Sequence, residues 1–486
     1  MIIRDEAAML PGFLASVTGL WDELVVADTG SADGSPDLVR NAGGRVVDFP
    51  WRDDFAAARN ASLAGATGRW VLFLDADERM GPELAGAIRE LVARDGNAGA
   101  ATVVMRNALP GGGHSEARLL RLFRNAPDIR FRHRIHEDVA DDVATFLGRH
   151  GLAMRHLPGG VDHLGYARAA ATARHKKERD LRLLRLALAD DPDDLYCRFK
   201  LLELARFWDD RPLWESEVPT ARRAFEAAPD TTLDGRAWAA DCAALIAQLL
   251  PGAPLEALSW LDRQAPRVPQ GPAWHLRRGA LLEAGANLDG AELAYRECLW
   301  MADDPTPGAG NRTRALLGLC RVAARRGDLA AAAGLARLAA DGEPADAEAL
   351  LAVAAFTPAP QAAAFLADHA RRSDDVAVAV ARALLAAGRP EQSLAVLAEN
   401  LAAPRRALGA AFVAVVLGIA LDVTVELEGP DADAELRAWL QGLWNAPRAG
   451  LRDGFVERAG ALADAFPWLP DWIAERAPVP VSSSPR

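Results

Sequence analysis

The chain has 486 residues, half of them hydrophobic and a quarter charged, so it is too long for one core and too apolar for a disordered polypeptide. Its formal net charge of −12 argues against a general nucleic-acid binder, which carries a basic face. Cys197, Cys242, Cys298 and Cys320 lie far apart with no CxxC spacing, which predicts buried thiols in a reducing cytoplasm and neither a zinc site nor a disulfide framework.

In chain order, Met1-Ile2-Ile3 is followed at once by Arg4, Asp5 and Glu6, a start that lacks the pattern of a secretion signal. Leu24-Val25-Val26-Ala27 predicts a short strand ending at Asp28, and Thr29-Gly30-Ser31-Ala32-Asp33-Gly34 a turn. Ser35-Pro36-Asp37 predicts a helix start, with serine as N-cap and proline at the first position. Arg45 to Phe49 reads as a strand, Phe55 to Leu63 has helical spacing, and Trp70-Val71-Leu72-Phe73-Leu74 predicts a buried strand running into Asp75-Ala76-Asp77. Side chains at i and i+2 of an extended segment point the same way, so both aspartates can face one divalent cation. Such a cation neutralises a diphosphate. Alternation of this kind predicts an open α/β sheet over residues 1 to about 170, with ligands beyond the strands' carboxyl ends, where Asp28 and Asp75 fall.

From about residue 171 to 477 the chain is rich in Ala, Leu and Arg and predicts an all-α region. Its first helix is expected to carry the charged run Arg174 to Arg179 on a solvent-exposed face. A weak tetratricopeptide pattern fits Gly279, Ala291, Tyr295 and Cys298, and then Gly327, Ala332, Ala336, Ala339 and Pro344. Gly388, Ser393 and Leu397 suggest another unit, and Ala221, Phe225 and Ala228 an earlier one. Small residues let paired helices approach while Tyr or Phe fills the gap beside them; a generic helical bundle is the competing reading. The longest uncharged run, Ala407 to Leu421, is shorter than the roughly 18 residues a membrane span needs, and predicts a buried core helix instead. Residues 478–486 read as a loose, disordered tail.

A lone D-x-D is a weak signal, but here it stands in an ordered set: Ile2-Ile3-Arg4-Asp5-Glu6, then Val26-Ala27-Asp28-Thr29-Gly30-Ser31, then Phe55-Ala-Ala-Ala-Arg59-Asn60. Together these resemble the family 2 glycosyltransferases of the GT-A fold. They are most similar to the bacterial subgroup in which that domain is fused to tetratricopeptide repeats, which includes sublancin-type peptide S-glycosyltransferases. Trp51-Arg52-Asp53-Asp54-Phe55, Arg121 to Asn125, Arg134-Ile135-His136-Glu137 and Asp162 to Tyr166 extend the resemblance, which covers about residues 1–200 well and the rest in architecture only. In the family the first strand has several residues before the Ile-Ile equivalent. Here the chain starts almost inside it, so either the true start lies upstream or a central strand is shortened. Lower stability than in relatives with the full strand is expected.

The resemblance implies a metal-dependent, inverting transfer of a hexose from a UDP-sugar, with Mn2+ or Mg2+. It implies that Asp28 holds the uracil or ribose with Glu6 nearby, and that Arg59 lies toward the diphosphate. Asp75 is expected to face ribose and metal, and Asp77 to bind the metal directly. Glu137 occupies the general-base position, although Asp138 competes for it and either acid also suits a helix start. His163 and His136 are candidate ligands or diphosphate contacts, with an ordinary hydrogen-bonded role as the alternative. Arginines 118, 121, 124, 130, 132 and 134 form a basic stretch, readable as a solvated face or as phosphate-facing. The expected partners are the nucleotide-sugar donor and a peptide, protein or glycan acceptor, with a homodimer also expected. The alternatives are a catalytically inactive repeat scaffold that binds a protein partner, and nucleotidyl transfer, which releases pyrophosphate rather than UDP.

Overall fold

In a computed structural model the described residues are 1–94, 96–108, 114–164, 170–302, 309–421, 425, 429–444, 446, 449–463 and 465–476. The chain divides into two compact units, Met1–Asn311 and Arg312–Arg486.

The first unit opens as an α/β domain. β1 (Ile2–Ile3) precedes α1 (Leu10–Ser16), β2 (Val25–Asp28), α2 (Ser35–Asn41), β3 (Arg45–Asp48), α3 (Phe55–Gly65) and β4 (Trp70–Leu72). β5 (Glu78–Met80), α4 (Pro82–Ala93), β6 (Ala98–Ala108), β7 (His114–Arg124), α5 (Ala140–His150) and β8 (Ala153–His163) complete it. β1, β2 and β3 form one parallel sheet, with Ile3 opposite Asp28 and Asp28 opposite Asp48. The order β4-β7-β6-β8-β5 forms a second, mixed sheet.

Two local expectations need correction. The helix after Asp33 begins at Ser35 itself, with Gly34 as N-cap. The serine hydroxyl instead accepts from the Glu6 N–H at 2.8 Å and donates to Asp33 Oδ1. The strand before the twin aspartates ends at Leu72, so Asp75-Ala76-Asp77 lies in a turn closed by Glu78 N–H donating to Asp75 O at 3.1 Å. The i, i+2 rule of extended chain therefore does not orient these acids. The turn does.

β1 and β4 each end their sheet, and a cavity of about 340 Å³ separates them, lined by Met1, Leu20, Trp21, Val25, Trp70 and Leu72 among others. Strand edges that face a cavity leave backbone groups without ladder partners. The Met1 ammonium sits here, donating to Val25 O at 3.1 Å; burial, aided by Arg59 and opposed by Asp75, lowers its pKa from 8.0 to about 5. Folding thus favours the neutral amine. Its contribution is fully present above pH 8.0 and is lost as pH falls toward about 5. Thermal melts between pH 5 and 8 are expected to show that loss, and a stability unchanged across the range contradicts it.

Beyond β8 the structure is helical, beginning with α6 (Ala170–Asp190), α7 (Leu195–Phe207) and α8 (Arg211–Ala227). The change of periodicity near residue 170 is not a packing boundary. Trp51 and Phe55 pack into one core with Ile135, Leu183, Leu184 and Leu201, while Arg182 forms a two-pronged ion pair with Asp53 at 2.7 Å. The Trp51-to-Phe55 segment thereby fastens the α/β domain to the first helices.

Later helices pack as tetratricopeptide-like pairs. In the pair Pro272–Ala284 and Leu288–Ala302, a Cβ on Gly279 would lie 2.7 Å from the Tyr295 ring. Ala291, Tyr295 and Cys298 are all buried. Gly279→Ala gains helix propensity of about 1 kcal/mol, yet it overpacks this contact. A net loss of about 1–2 kcal/mol is expected in denaturant titration; a stabilised variant would show the contact to be loose.

In the second unit Ala332, Ala336 and Ala339 are fully buried, and Ser393 Oγ donates to Ala381 O at 2.7 Å. The uncharged run from Ala407 forms part of the helix Pro404–Leu417, which ends on left-handed Gly418 and packs Phe412 against Trp439 and Phe455. Among the described residues no helix is long and apolar enough to cross a membrane. The expected tail at 478–486 lies outside the described residues, as do Gly165 and Tyr166 of the matched segment.

Candidate active site

Four separate segments converge beside the end of β4. α3 starts where Asp54 caps the Ala57 N–H at 2.8 Å, and it carries Arg59 on its inner face. The Arg59 guanidinium is almost fully buried among the rings of Phe73 and Phe131. Its Nη2 donates to Asp75 Oδ2 at 3.1 Å, its Nη1 lies 3.0 Å from Asp75 Oδ1, and its Nε donates to Glu137 Oε1 at 2.6 Å. One cation thus joins the D-x-D turn to the candidate base. Burial opposes ionisation of Asp75, but Arg59 and then Arg121 hold its carboxyl well below the usual range. Burial likewise works against the Arg59 charge, and Asp75 and Glu137 keep it charged.

Glu137 reaches this point because its loop folds back on itself. Arg132 and Asp138 exchange backbone hydrogen bonds at 2.8 and 3.1 Å, and between them His133 and His136 take left-handed φ values of 68° and 54°. Two such residues so close together mark a conformation that the surroundings impose. Asp138 is spent otherwise: its Oδ1 accepts from Val139 and Ala140 N–H at 2.8 and 3.1 Å, at the start of α5.

Strand register sets the other side. β5 runs antiparallel to β8 with Glu78 opposite His163, and β6 places Asn107 opposite His163 from its other flank. His163 Nδ1 therefore meets Asn107 Oδ1 at 2.8 Å and its Nε2 lies 3.3 Å from Asp77 Oδ2. The hydrogen bond to Asp77 raises the His163 pKa above its ordinary value. Beneath the turn, Glu78 is buried, accepts from Arg121 Nη2 at 2.6 Å and receives the Asp75 N–H at 2.9 Å. Burial pushes the Glu78 carboxyl upward despite Arg121.

Asp28 closes β2 and accepts from the Ser31 hydroxyl at 2.5 Å, while Ser31 Oγ also receives the Asp5 N–H at 3.0 Å. Glu6 lies on that stitched loop, tied to Ser35. Asp28, Asp75, Asp77, Arg59, Glu137 and His163 are thus all placed on the α/β domain. The expectation for Arg59 is altered, because its guanidinium is directed at two carboxylates rather than left open for a diphosphate. The basic stretch is likewise engaged internally: Arg118 and Arg124 donate to Leu157 O and Ala98 O, Arg132 pairs with Asp142, and Arg134 with Asp190.

The residues that sequence reasoning passed over are Glu78, Asn107 and the buried role of Arg121. Glu78 directly follows Asp77 and reads as one more turn acid. The signal for a support role was its place three residues after Asp75.

The donor set suits a hard dication. Asp77 and Asp75 offer carboxylate oxygens that are 29 and 34 % exposed at one turn, and magnesium-type ions take one or two carboxylates alongside substrate phosphates. Among the described residues the one preassembled trio of ligand atoms is elsewhere: His133, Asp194 and Cys197, within 4.8 Å of one another. There Asp194 caps α7 through the Cys197 N–H at 2.9 Å, lies 3.4 Å from His133, and sits beside a thiol that burial holds protonated. That trio is internally satisfied.

Residues 1–151 match the model of glycosyl transferase family 2. A TPR repeat-containing protein of Synechococcus elongatus is 41 % identical over 203 residues, covering 41 % of this chain and 50 % of that protein. The SPbeta prophage-derived glycosyltransferase SunS of Bacillus subtilis is 25 % identical over 203 residues, 40 % of this chain and 45 % of its own. The chain thus spans about half the length of the curated relatives it matches. Among solved structures, glucosyl-3-phosphoglycerate synthase from Mycobacterium tuberculosis aligns with 39 % of this chain and 77 % of its own, at 18 % identity and a TM-score of 0.28.

Proposed function

We propose that this chain, whose residues 1–151 form a glycosyl transferase family 2 domain, moves a hexose from a UDP-sugar to an acceptor with inversion at the anomeric carbon. The observation that supports this most is the Arg59 bridge, which joins Asp75 and Glu137 at one point through hydrogen bonds of 3.1 and 2.6 Å. Asp28, with Glu6 beside it, receives the uridine. Asp77, with the exposed edge of Asp75, holds Mn2+ or Mg2+, and His163 positions Asp77. A dication bound there neutralises the diphosphate and stabilises UDP as leaving group. Glu137 takes the proton from the acceptor's hydroxyl or thiol. The acceptor heteroatom then bonds to the anomeric carbon as the bond from that carbon to the phosphate oxygen breaks. Arg59 orients Glu137 through Oε1.

Labelled UDP-glucose or UDP-GlcNAc is expected to release UDP slowly even without acceptor, whereas pyrophosphate as product would indicate nucleotidyl transfer. Asp77→Ala removes one half-exposed contact with His163 and is expected to leave the fold unchanged. Its UDP affinity in Mn2+ should fall by at least about 100-fold, the upper end of what loss of an outer partner alone produces. Titration calorimetry showing unaltered affinity would remove the metal from the proposal. The free, buried state of Cys197, Cys242, Cys298 and Cys320 supports a reducing, cytoplasmic setting.

A further inference from the structure

The loop that carries Glu137 is tied to the helical region through α7. Tyr196 donates its hydroxyl proton to His136 O at 3.1 Å, and its ring stacks on the His133 imidazole with centroids 4.2 Å apart. His133 stands in the left-handed region at φ 68°, and its ring lies against the first turn of α7. Asp194 is the N-cap of that helix, and its Oδ1 accepts from the Cys197 N–H at 2.9 Å. A cap of this kind brings the third helical residue against the capping carboxylate and leaves the second oxygen to point elsewhere. Here Oδ2 lies 3.4 Å from His133 Nδ1. One atom each of His133, Asp194 and Cys197 thus converge, all within 4.8 Å of one another.

The spacing is that of ligands on one ion. Two ligands held by a tetrahedral centre through bonds of about 2.0–2.1 Å stand about 3.3–3.4 Å apart. The Nδ1–Oδ2 separation of 3.4 Å matches that edge, whereas an ordinary N–H···O bond spans about 2.9–3.0 Å. Sulfur bound at about 2.3 Å requires edges of about 3.6 Å, which Cys197 Sγ reaches by a small side-chain rotation. The contacts that satisfy the three groups are therefore also those of a shared ion. The residues come from two segments far apart in the chain, so no CxxC or other short spacing announces them.

Ligand type narrows the choice of ion. An imidazole nitrogen, a carboxylate oxygen and a thiolate suit zinc and its borderline neighbours, whereas magnesium-type ions keep to oxygen. Cys197 is fully buried, while the His133 and Asp194 side chains are 23 and 20 % exposed. An ion enters past those two and keeps one side open to water. Asp191 and Asp193, exposed in the turn ahead of α7, add negative charge at this end of the helix. A helix N-terminus also favours thiolate over thiol.

We propose that His133, Asp194 and Cys197 bind one borderline transition-metal dication of the zinc class, with water as fourth ligand, and that the ion fastens the Glu137 loop to α7. As the bonds to Nδ1, Oδ2 and Sγ form, the thiol proton passes to water and His133 binds as neutral imidazole. No residue of the Asp75-to-Asp77 turn takes part, and the site does not depend on the transferase reading.

The test titrates Co2+ into the reduced full chain, because only a thiolate ligand gives a sulfur-to-cobalt charge-transfer band. One equivalent of Co2+ is expected to produce that band, Zn2+ to bleach it, and excess Mg2+ to leave it. Cys197→Ser should abolish it, whereas Cys242→Ala, at another buried cysteine, and Asp77→Ala should keep it. His133→Asn removes the imidazole yet suits a left-handed backbone, so it serves if the cysteine variant does not fold. It should weaken Co2+ binding by at least about tenfold. Zn2+ should also slow amide hydrogen exchange in residues 132–138 of the parent. Absence of the band in the parent, its survival in Cys197→Ser, or unweakened binding in His133→Asn would each overturn the site. Exchange in the loop unaltered by bound Zn2+ would overturn the fastening. Loss of the band in Asp77→Ala would assign the cobalt to the D-x-D turn instead, and a band retained alongside absent UDP release would keep this site while removing the transferase reading.

Discussion

Arg59→Ala is expected to destabilise the protein by about 3 kcal/mol, the lower end for removing one member of a buried ionic group. The low end applies because Asp75 is a third exposed and water screens it in part, whereas Glu137 is only 13 % exposed. Without the guanidinium two carboxylates face each other near the Phe73 and Phe131 rings, and each loses a charged donor. Asp75 should then titrate upward toward the ordinary carboxylate range. Its depressed pKa contributes stability that is present above the unfolded value of 3.8 and is lost as pH falls through the lower folded value. The variant should therefore show a smaller loss of stability on acidification below pH 3.8 than the parent. Urea titrations across that range measure both effects. Arg59→Lys should recover only part of the loss, because a point charge cannot serve two carboxylates in the forked geometry of guanidinium. Full recovery by lysine would contradict the bridge.

Glu137→Gln keeps the shape of the side chain and an acceptor for Arg59 Nε, but removes the base. Transfer to an acceptor should slow by about 10²- to 10⁴-fold, the usual worth of a positioned general base. UDP binding should change little, because Glu137 is assigned to the acceptor side. Asp138→Asn is the matched control. Its carboxylate caps α5, so it should cost about 0.5–2 kcal/mol in stability and leave the chemical step nearly intact. The opposite pattern, with a slow Asp138 variant and a fast Glu137 variant, would exchange the two roles.

Much of the α/β domain was legible because its signals are local. Val25 to Ala27 is an apolar run ending in an acid and a turn, and the structure has β2 there with Asp28 at its end. The helical spacing from Phe55 is a helix in the structure, Phe55–Gly65, capped by Asp54. Tyr295 beside Gly279 follows from the need of paired helices for a small residue next to a large one. What escaped is what register and loop folding create. Arg59 meets residues 16 and 78 positions away, and nothing in its own neighbourhood says that they will occupy it. His163 reaches Asp77 only because β5 pairs with β8 in one register rather than the next. The acids of the turn at Asp75 to Asp77 were given the geometry of extended chain because an apolar run gives no sign of where its ladder stops, here at Leu72. The arginines from 118 to 134 were ambiguous for a related reason: their partners, among them Glu78, Asp142 and Asp190, lie on other elements.

The most direct test of the account is a crystal structure of the full chain grown with UDP and Mn2+, with the cation located by anomalous scattering. The account predicts an anomalous peak at Asp77, shared with the exposed edge of Asp75 and the diphosphate, and uridine lying against Asp28. UDP bound elsewhere, or both aspartates still held by Arg59 and His163 with the cation at another place, would contradict it.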